Sequence, residues 1–407
     1  MKNFNIKIIA IIFILFPIVC YSQIKELVEE LQSNDDYRNS IAVYEIIQQN
    51  LYEAYPYLLD LYNSKPLQVK IDFLQALSFF NDPDITTKAE QFIVDVDSAS
   101  QEELKYIDPL FEKVRAVSIL FRFNQFNYAN LIFDLINRDG VENIRSEPFH
   151  LLGEIINKVP LYEIEAKNIL LSIYTNGSDY NRYFAMVFLT KKYNSEMVEM
   201  LRTSFVNDSD LSIRTRALEY LLQLDKDNFE SLLLSQLHTD SSWSFRTMLV
   251  DSLLNNYGTP SDLKAVIDYN PTEPNVTAKS LIGYSVQYFI PPRPDIFVFS
   301  MIDTLRSYTE QLYQYQWITD SKTYKDYLAL LKEQKNESDT LQAAQAYLSN
   351  INLLIARVQS DFNFGTVWET GSNTTGSLIT AEAYKFMYYY SVYIKEDLQK
   401  IINGTTN

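Results

Sequence analysis

Residues 208–224 read DSDLSIRTRALEYLLQL, and this stretch decides the fold. Leu211, Ala217, Leu218, Leu221, Leu222 and Leu224 fall at helical spacing, which is one apolar face of an α-helix. Asp208 and Asp210 stand at its start, where side-chain oxygens accept from the free backbone N–H groups of a first turn. After the polar turn Asp225-Lys226-Asp227 a second helical run follows, NFESLLLSQL over residues 228–237.

Working outward, the same pattern returns every 32 residues. Arg182, Arg214 and Arg246 keep that step, with Asn176, Asp208 and Asp240 six residues before them and Leu189, Leu221 and Leu253 seven after. The second helix shares the register through Leu201, Leu233 and Ala265, and again through Phe205, Leu237 and Tyr269. A repeat of about 20–50 residues marks units too small to close a core alone, which bury their apolar faces on one another. The expected fold is all-α: a right-handed α-solenoid of helical pairs over residues 23–288.

This array resembles HEAT repeats. The likeness rests on the acid near the turn with an arginine six positions on, Asp208/Arg214 and Asp240/Arg246, and on the run Ile213-Arg214-Thr215-Arg216-Ala217. It implies an armadillo-like helical stack in which the Asp and Arg of successive units pair as a structural ladder through Asp208, Arg214, Asp240, Arg246 and Arg182. Asn176 departs from the pattern as a neutral amide, and Leu249 departs where Ala185 and Ala217 supply a small residue.

Upstream the register is looser. Arg38 and Lys70 are 32 apart, but Arg115 follows only after 45, which predicts an inserted stretch of about a dozen residues. His150 lies 32 before Arg182, with Gly153 in the small-residue slot. Downstream, three prolines within residues 291–294 cannot sit inside a helix, so 289–294 is expected to be a stiff connector. Residues 295–402 then read as a small helical bundle, and 403–407 as a tail. This bundle resembles the FIMAH domain, on the regularly spaced Ala, Leu and Ile of Leu341 to Val358 and on Leu378-Ile379-Thr380-Ala381-Glu382-Ala383. The resemblance implies an accessory or binding role outside the cytoplasm and supplies no catalytic residue. The loop carrying Trp368 departs from its pattern.

Residues 1–22 read as an export signal. Lys2 and Lys7 precede the apolar run Ile8 to Val19, and Cys20-Tyr21-Ser22 leads to a cut before Gln23. Lipid attachment at Cys20 is the alternative, disfavoured by bulky Ile18-Val19 before it. The signal gives a periplasmic, cell-envelope or extracellular protein, and no later stretch is apolar for long enough to span a membrane. A net charge of −17 makes nucleic acid a poor partner. Cys20 is the only cysteine, so without the signal the chain carries neither a disulfide nor a thiolate site.

Motifs for chemistry are sparse. His150 and His238 are far apart, and neither a phosphate loop nor a nucleophile elbow is present. Asp95/Asp97 and Asp225/Asp227 lack the glycine and glutamate of a calcium loop and read as turn caps. No catalytic residue, metal ligand or cofactor is therefore assigned. Tyr384, Phe386, Tyr388, Tyr389, Tyr390 and Tyr393 crowd one helix, more rings than one face holds, so that helix is expected to pack on two sides. Trp368, Tyr389 and Tyr393 are the candidate ligand contacts. The expected function is an exported, non-enzymatic scaffold for a protein or peptide. The rivals are a glycan-binding accessory protein using the aromatic C-terminal module, and a hydrolase with a carboxylate pair, one member of which has a raised pKa.

Overall fold

The computed structural model describes residues 24–332, 340–362 and 377–404. Among these the chain is all-helical, and its β-type pairing is an isolated antiparallel bridge between Ile318 and Ile379. It divides into two compact units, Met1–Met197 and Val198–Asn407. Residues 1–22, expected to be an export signal, with Cys20 among them, and Trp368 lie outside the described residues.

The first unit runs through helices Asp36–Gln48, Tyr55–Tyr62, Leu67–Phe79, Ile85–Ser98, Pro109–Arg122, Asn130–Asp139, Ser146–Lys158, Glu163–Asn176 and Asp179–Tyr193. Its principal packing joins helices that are adjacent in the chain or next but one. Leu67–Phe79 lies on Pro109–Arg122, that helix on Ser146–Lys158, and that one on Asp179–Tyr193. Short-range packing of this kind lets each helix bury its apolar stripe on sequence neighbours, and Phe73, Phe92 and Phe149 are fully buried this way. The displaced Arg115 has a plain cause: a run of turns over residues 101–107 separates Ile85–Ser98 from Pro109–Arg122. Gly153 sits where two helices touch, since a Cβ there would lie 2.9 Å from the Phe188 ring.

The second unit begins with Val198–Asn207, Leu211–Leu224, Lys226–Thr239, Trp243–Asn256, Pro260–Tyr269 and Val276–Tyr288. Asp210 caps Leu211–Leu224, its carboxylate accepting from the amides of Ser212 at 2.8 Å and Ile213 at 3.0 Å. Leu211, expected on the apolar face, is 40% exposed, because it is the first helical residue and no turn precedes it to pack against. Leu211–Leu224 packs on Trp243–Asn256, which packs on Val276–Tyr288. Leu249 is buried in the slot that Ala217 fills one step earlier.

Four further helices complete this unit: Val298–Gln314, Ser321–Leu330, Thr340–Asp361 and Ala381–Ile402. One apolar core extends from Leu237 to Leu398 and includes Val286 and Phe289. The proline-rich stretch is therefore packed in place. Phe289 meets Phe386 at 5.7 Å between ring centres, the Tyr393 hydroxyl donates to the Pro291 carbonyl at 3.0 Å, and Arg293 pairs with Glu396 and Asp397. The last helix is covered on every side over its first seven residues, Ala381–Met387, all buried. It packs against both Val298–Gln314 and Thr340–Asp361, which is why so many rings fit on it.

Lys385 lies within that buried stretch. Its ammonium donates to the carbonyls of Val286 at 2.6 Å and Gln287 at 2.9 Å, at the carbonyl end of Val276–Tyr288. A cation suits a helix C-terminus, where the last carbonyls have no partner of their own. Burial nevertheless pushes its pKa down to about 8, with Glu382 opposing.

Candidate functional site: an ion-pair ladder and an aromatic groove

Four cations occupy one local position. Arg182, Arg214, Arg246 and Lys279 are each the fourth residue of their helix, and each backbone amide makes the helix's first hydrogen bond, to the N-cap carbonyl, at 2.8–3.1 Å. Their side chains turn back to the carbonyl end of the preceding helix, at Tyr174, Phe205, Asp240 and Pro271 respectively. Arg182 also pairs with Asp179 at 3.0 Å.

Within the second unit the arginines then reach forward to an acid. Arg214 pairs with Asp240 and stacks over the Phe245 ring, 4.0 Å from its centre. Arg246 pairs with Glu273 through both carboxylate oxygens, at 2.5 and 2.8 Å. Asp240 and Glu273 are held in turn by the amides of Ser242 and Asn275, and Glu273 also accepts from the Tyr269 hydroxyl at 2.5 Å. The pairs join one helical pair to the next; Arg246 contacts Asp240 through the latter's backbone carbonyl. Asp208 accepts from the amide of Asp210 at 2.9 Å, ordering the turn before Arg214. Glu273 and Lys279 escaped sequence reading because they follow Asp240 and Arg246 by 33 residues, one more than the repeat. Both arginines and Glu273 are buried, Asp240 is half-buried with its side chain 3% exposed, and Arg246 holds the Glu273 carboxyl down at about 2.

Against this frame lies a cleft of about 550 Å³. One wall comes from Trp243–Asn256 through Thr247, Asp251 and Asn255; the other comes from Val276–Tyr288 through Leu281, Tyr284, Ser285 and Tyr288. Residues 281, 284, 285 and 288 share one helix face, opposite buried Ala278, Ile282 and Val286. Leu281 is 46% exposed, Tyr284 61%, Tyr288 59%, and Ile290 beside them 51%. The two tyrosine rings lie 4.3 Å apart between centres. Ser285 donates to one oxygen of Asp251 at 2.7 Å, and Asp251, itself exposed, is the charged residue lining the cleft. The concave surface thus carries a row of exposed apolar and aromatic side chains, Leu281, Tyr284, Tyr288 and Ile290.

The other candidates are engaged elsewhere. Tyr393 holds the Pro291 carbonyl, and Tyr389 is partly buried beside Tyr388, with ring centres 5.4 Å apart. His150 is exposed among Phe149, Phe184 and Phe188, and His238 meets the edge of Tyr269. Asp95 pairs with Lys70, Asp97 with Lys113, and Asp225 with Arg202. Among the described residues no group of three or more His, Cys, Asp or Glu is placed to hold a metal, and no helix is long and apolar enough to cross a membrane.

One carboxyl pair does converge. Glu230 hydrogen-bonds Asp262, and burial together with that neighbour raises the Glu230 carboxyl to about 7. Asp262 is buried and already accepts from the amide and hydroxyl of Thr259, closing a capping box at the start of Pro260–Tyr269. The pair does not line the groove. A folded pKa above the ordinary 4.5 means a favourable contribution present below about pH 4.5 and lost as pH rises through about 7. Glu230→Gln keeps a donor for Asp262 and removes the charge. Discounted for partial exposure, it is expected to raise stability by about 1–2 kcal/mol near pH 8 and by almost nothing near pH 4. Urea denaturation at the two pH values checks this, and equal effects at both would contradict it.

No family model, no curated protein and no solved structure matches this chain.

Proposed function

We propose that the chain is an exported, non-enzymatic interaction protein that holds an extended segment of another protein in the Tyr284/Tyr288 groove. The exposed row Leu281, Tyr284, Tyr288 and Ile290 carries this reading, because apolar surface of that size is costly to leave in water unless a partner covers it. The Arg246–Glu273 pair, which ties Trp243–Asn256 to the turn before Val276–Tyr288, stiffens the two walls, so little order has to be imposed on binding. Within each unit the helical pairs are read as a HEAT-like α-solenoid. The next-but-one packing of helices and the repeated cation position support that reading. Residues 295–402 are read as a FIMAH-like module fused onto the array. Export is proposed from the character of residues 1–22, with a lipid on Cys20 as the lesser alternative.

The test is a double substitution, Tyr284→Ser with Tyr288→Ser, in the full chain. Binding to arrays of immobilised decapeptides is expected to fall at least about tenfold, with the thermal melt unchanged, since both rings are more than half exposed. Peptide binding that survives the double substitution would reject the groove. A second reading, glycan binding, is favoured by the paired rings beside the polar groups of Asp251 and Asn255, a combination that suits a sugar's apolar face and hydroxyls. A polysaccharide panel run with the same variant separates the two.

A further inference from the structure

We propose that the groove selects a polypeptide segment bearing a lysine or arginine, whose charge sits at Asp251 and whose aliphatic stem lies along Tyr284 and Tyr288. This rests on the groove being a peptide site and names the side chain it takes. Charge complementarity carries the argument. The cleft is lined by one carboxylate and by no lysine or arginine. Ser285 fixes one Asp251 oxygen by a 2.7 Å hydrogen bond, and the other takes no hydrogen bond from the described residues. That leaves an oriented, solvent-facing acceptor at the groove wall, ready for a charge-assisted hydrogen bond.

The aromatic pair fits the same occupant. Tyrosine faces attract a cation held within about 6 Å, and the methylene stem of lysine or arginine covers apolar surface while its head stays polar. Leu281 and Ile290 extend the apolar floor on which neighbouring side chains of an extended segment settle. The chain's net charge of −17 adds a long-range bias that draws basic segments and repels acidic ones. A neutral apolar segment would leave Asp251 facing it unpaired, and an acidic one would meet like charge.

The experiment uses the full chain and decapeptide libraries that are random except for one fixed central residue: Lys, Arg, Leu, Gln or Glu. The Lys- and Arg-fixed libraries are expected to bind best. Asp251→Asn is expected to weaken them about tenfold while changing the Leu-fixed library less than about twofold. Ser285→Ala, which releases the carboxylate without removing it, should give a smaller loss of the same selectivity. Raising salt from about 0.05 M to about 0.5 M should weaken binding to the wild type far more than to Asp251→Asn. If the Leu- or Glu-fixed library binds best, or if Asp251→Asn leaves the Lys and Arg preference intact, this inference falls while the groove stands. If no library binds and a polysaccharide does so through Tyr284 and Tyr288, both fall together. The melting curve of each variant, expected to match the wild type because Asp251 and Ser285 lie on the surface, separates a lost contact from a lost fold.

Discussion

Arg246→Ala is expected to destabilise the Val198–Asn407 unit by about 3–5 kcal/mol, the cost of removing one partner of a buried ion pair. The Glu273 side chain has no exposed surface, and without Arg246 its charge would be met by the Tyr269 hydroxyl and the Asn275 amide alone. Urea denaturation followed by circular dichroism measures the loss. The same pair sets an acid limb. Arg246 holds the Glu273 carboxyl at about 2 against an ordinary 4.5, so its contribution is present above about pH 4.5 and is lost as pH falls through about 2. Glu273→Gln should therefore flatten that limb by about 3 kcal/mol.

The second large effect is alkaline. Burial lowers the Lys385 ammonium from 10.5 to about 8, so the folded state disfavours the charged form. The associated stability is present above about pH 10.5 and is lost as pH falls through about 8, which makes the wild type more stable near pH 9.5 than near pH 7.5 by about 2 kcal/mol. Tyr384, raised to about 12, and Tyr390, raised further by its burial, lose their protons first in the unfolded chain, so they oppose the rise as pH nears 10, and the difference between wild type and Lys385→Met isolates the ammonium. Lys385→Met should abolish the rise, because no other atom of the side chain titrates. A variant that keeps the full rise would show that it comes from other groups and that burial does not lower the Lys385 ammonium.

The frame was legible in the chain and the groove was not, for a physical reason. A helix start repeats its chemistry: a capping oxygen, then a cation on the fourth residue able to reach the previous helix's carbonyl end. Arg214 and Arg246 therefore announce themselves by spacing. Glu273 and Lys279 keep the geometry but sit one residue late, and a strict period passes over them. Tyr284 and Tyr288 are one turn apart, the spacing a buried face would also show. Which side of Val276–Tyr288 meets water is set by Trp243–Asn256, and no pattern within the helix itself encodes that. Lys385 is the same problem inverted, a residue type that belongs on the surface, buried by helices distant in sequence. The tyrosine-rich last helix was readable as two-sided packing because its rings outnumber any single face.

The central claim is that two successive helical pairs of the second unit are each tied to the next by an arginine, Arg214 or Arg246, reaching forward to the following turn's acid. A double-mutant cycle tests it most directly, using Arg246→Met with Glu273→Gln and, as the contrasting pair, Arg246→Met with Asp240→Asn. The forward pair is expected to show a coupling of about 2 kcal/mol or more and the same-repeat pair less than about 0.5 kcal/mol. Equal couplings, or a larger one for Arg246 with Asp240, would contradict the ladder.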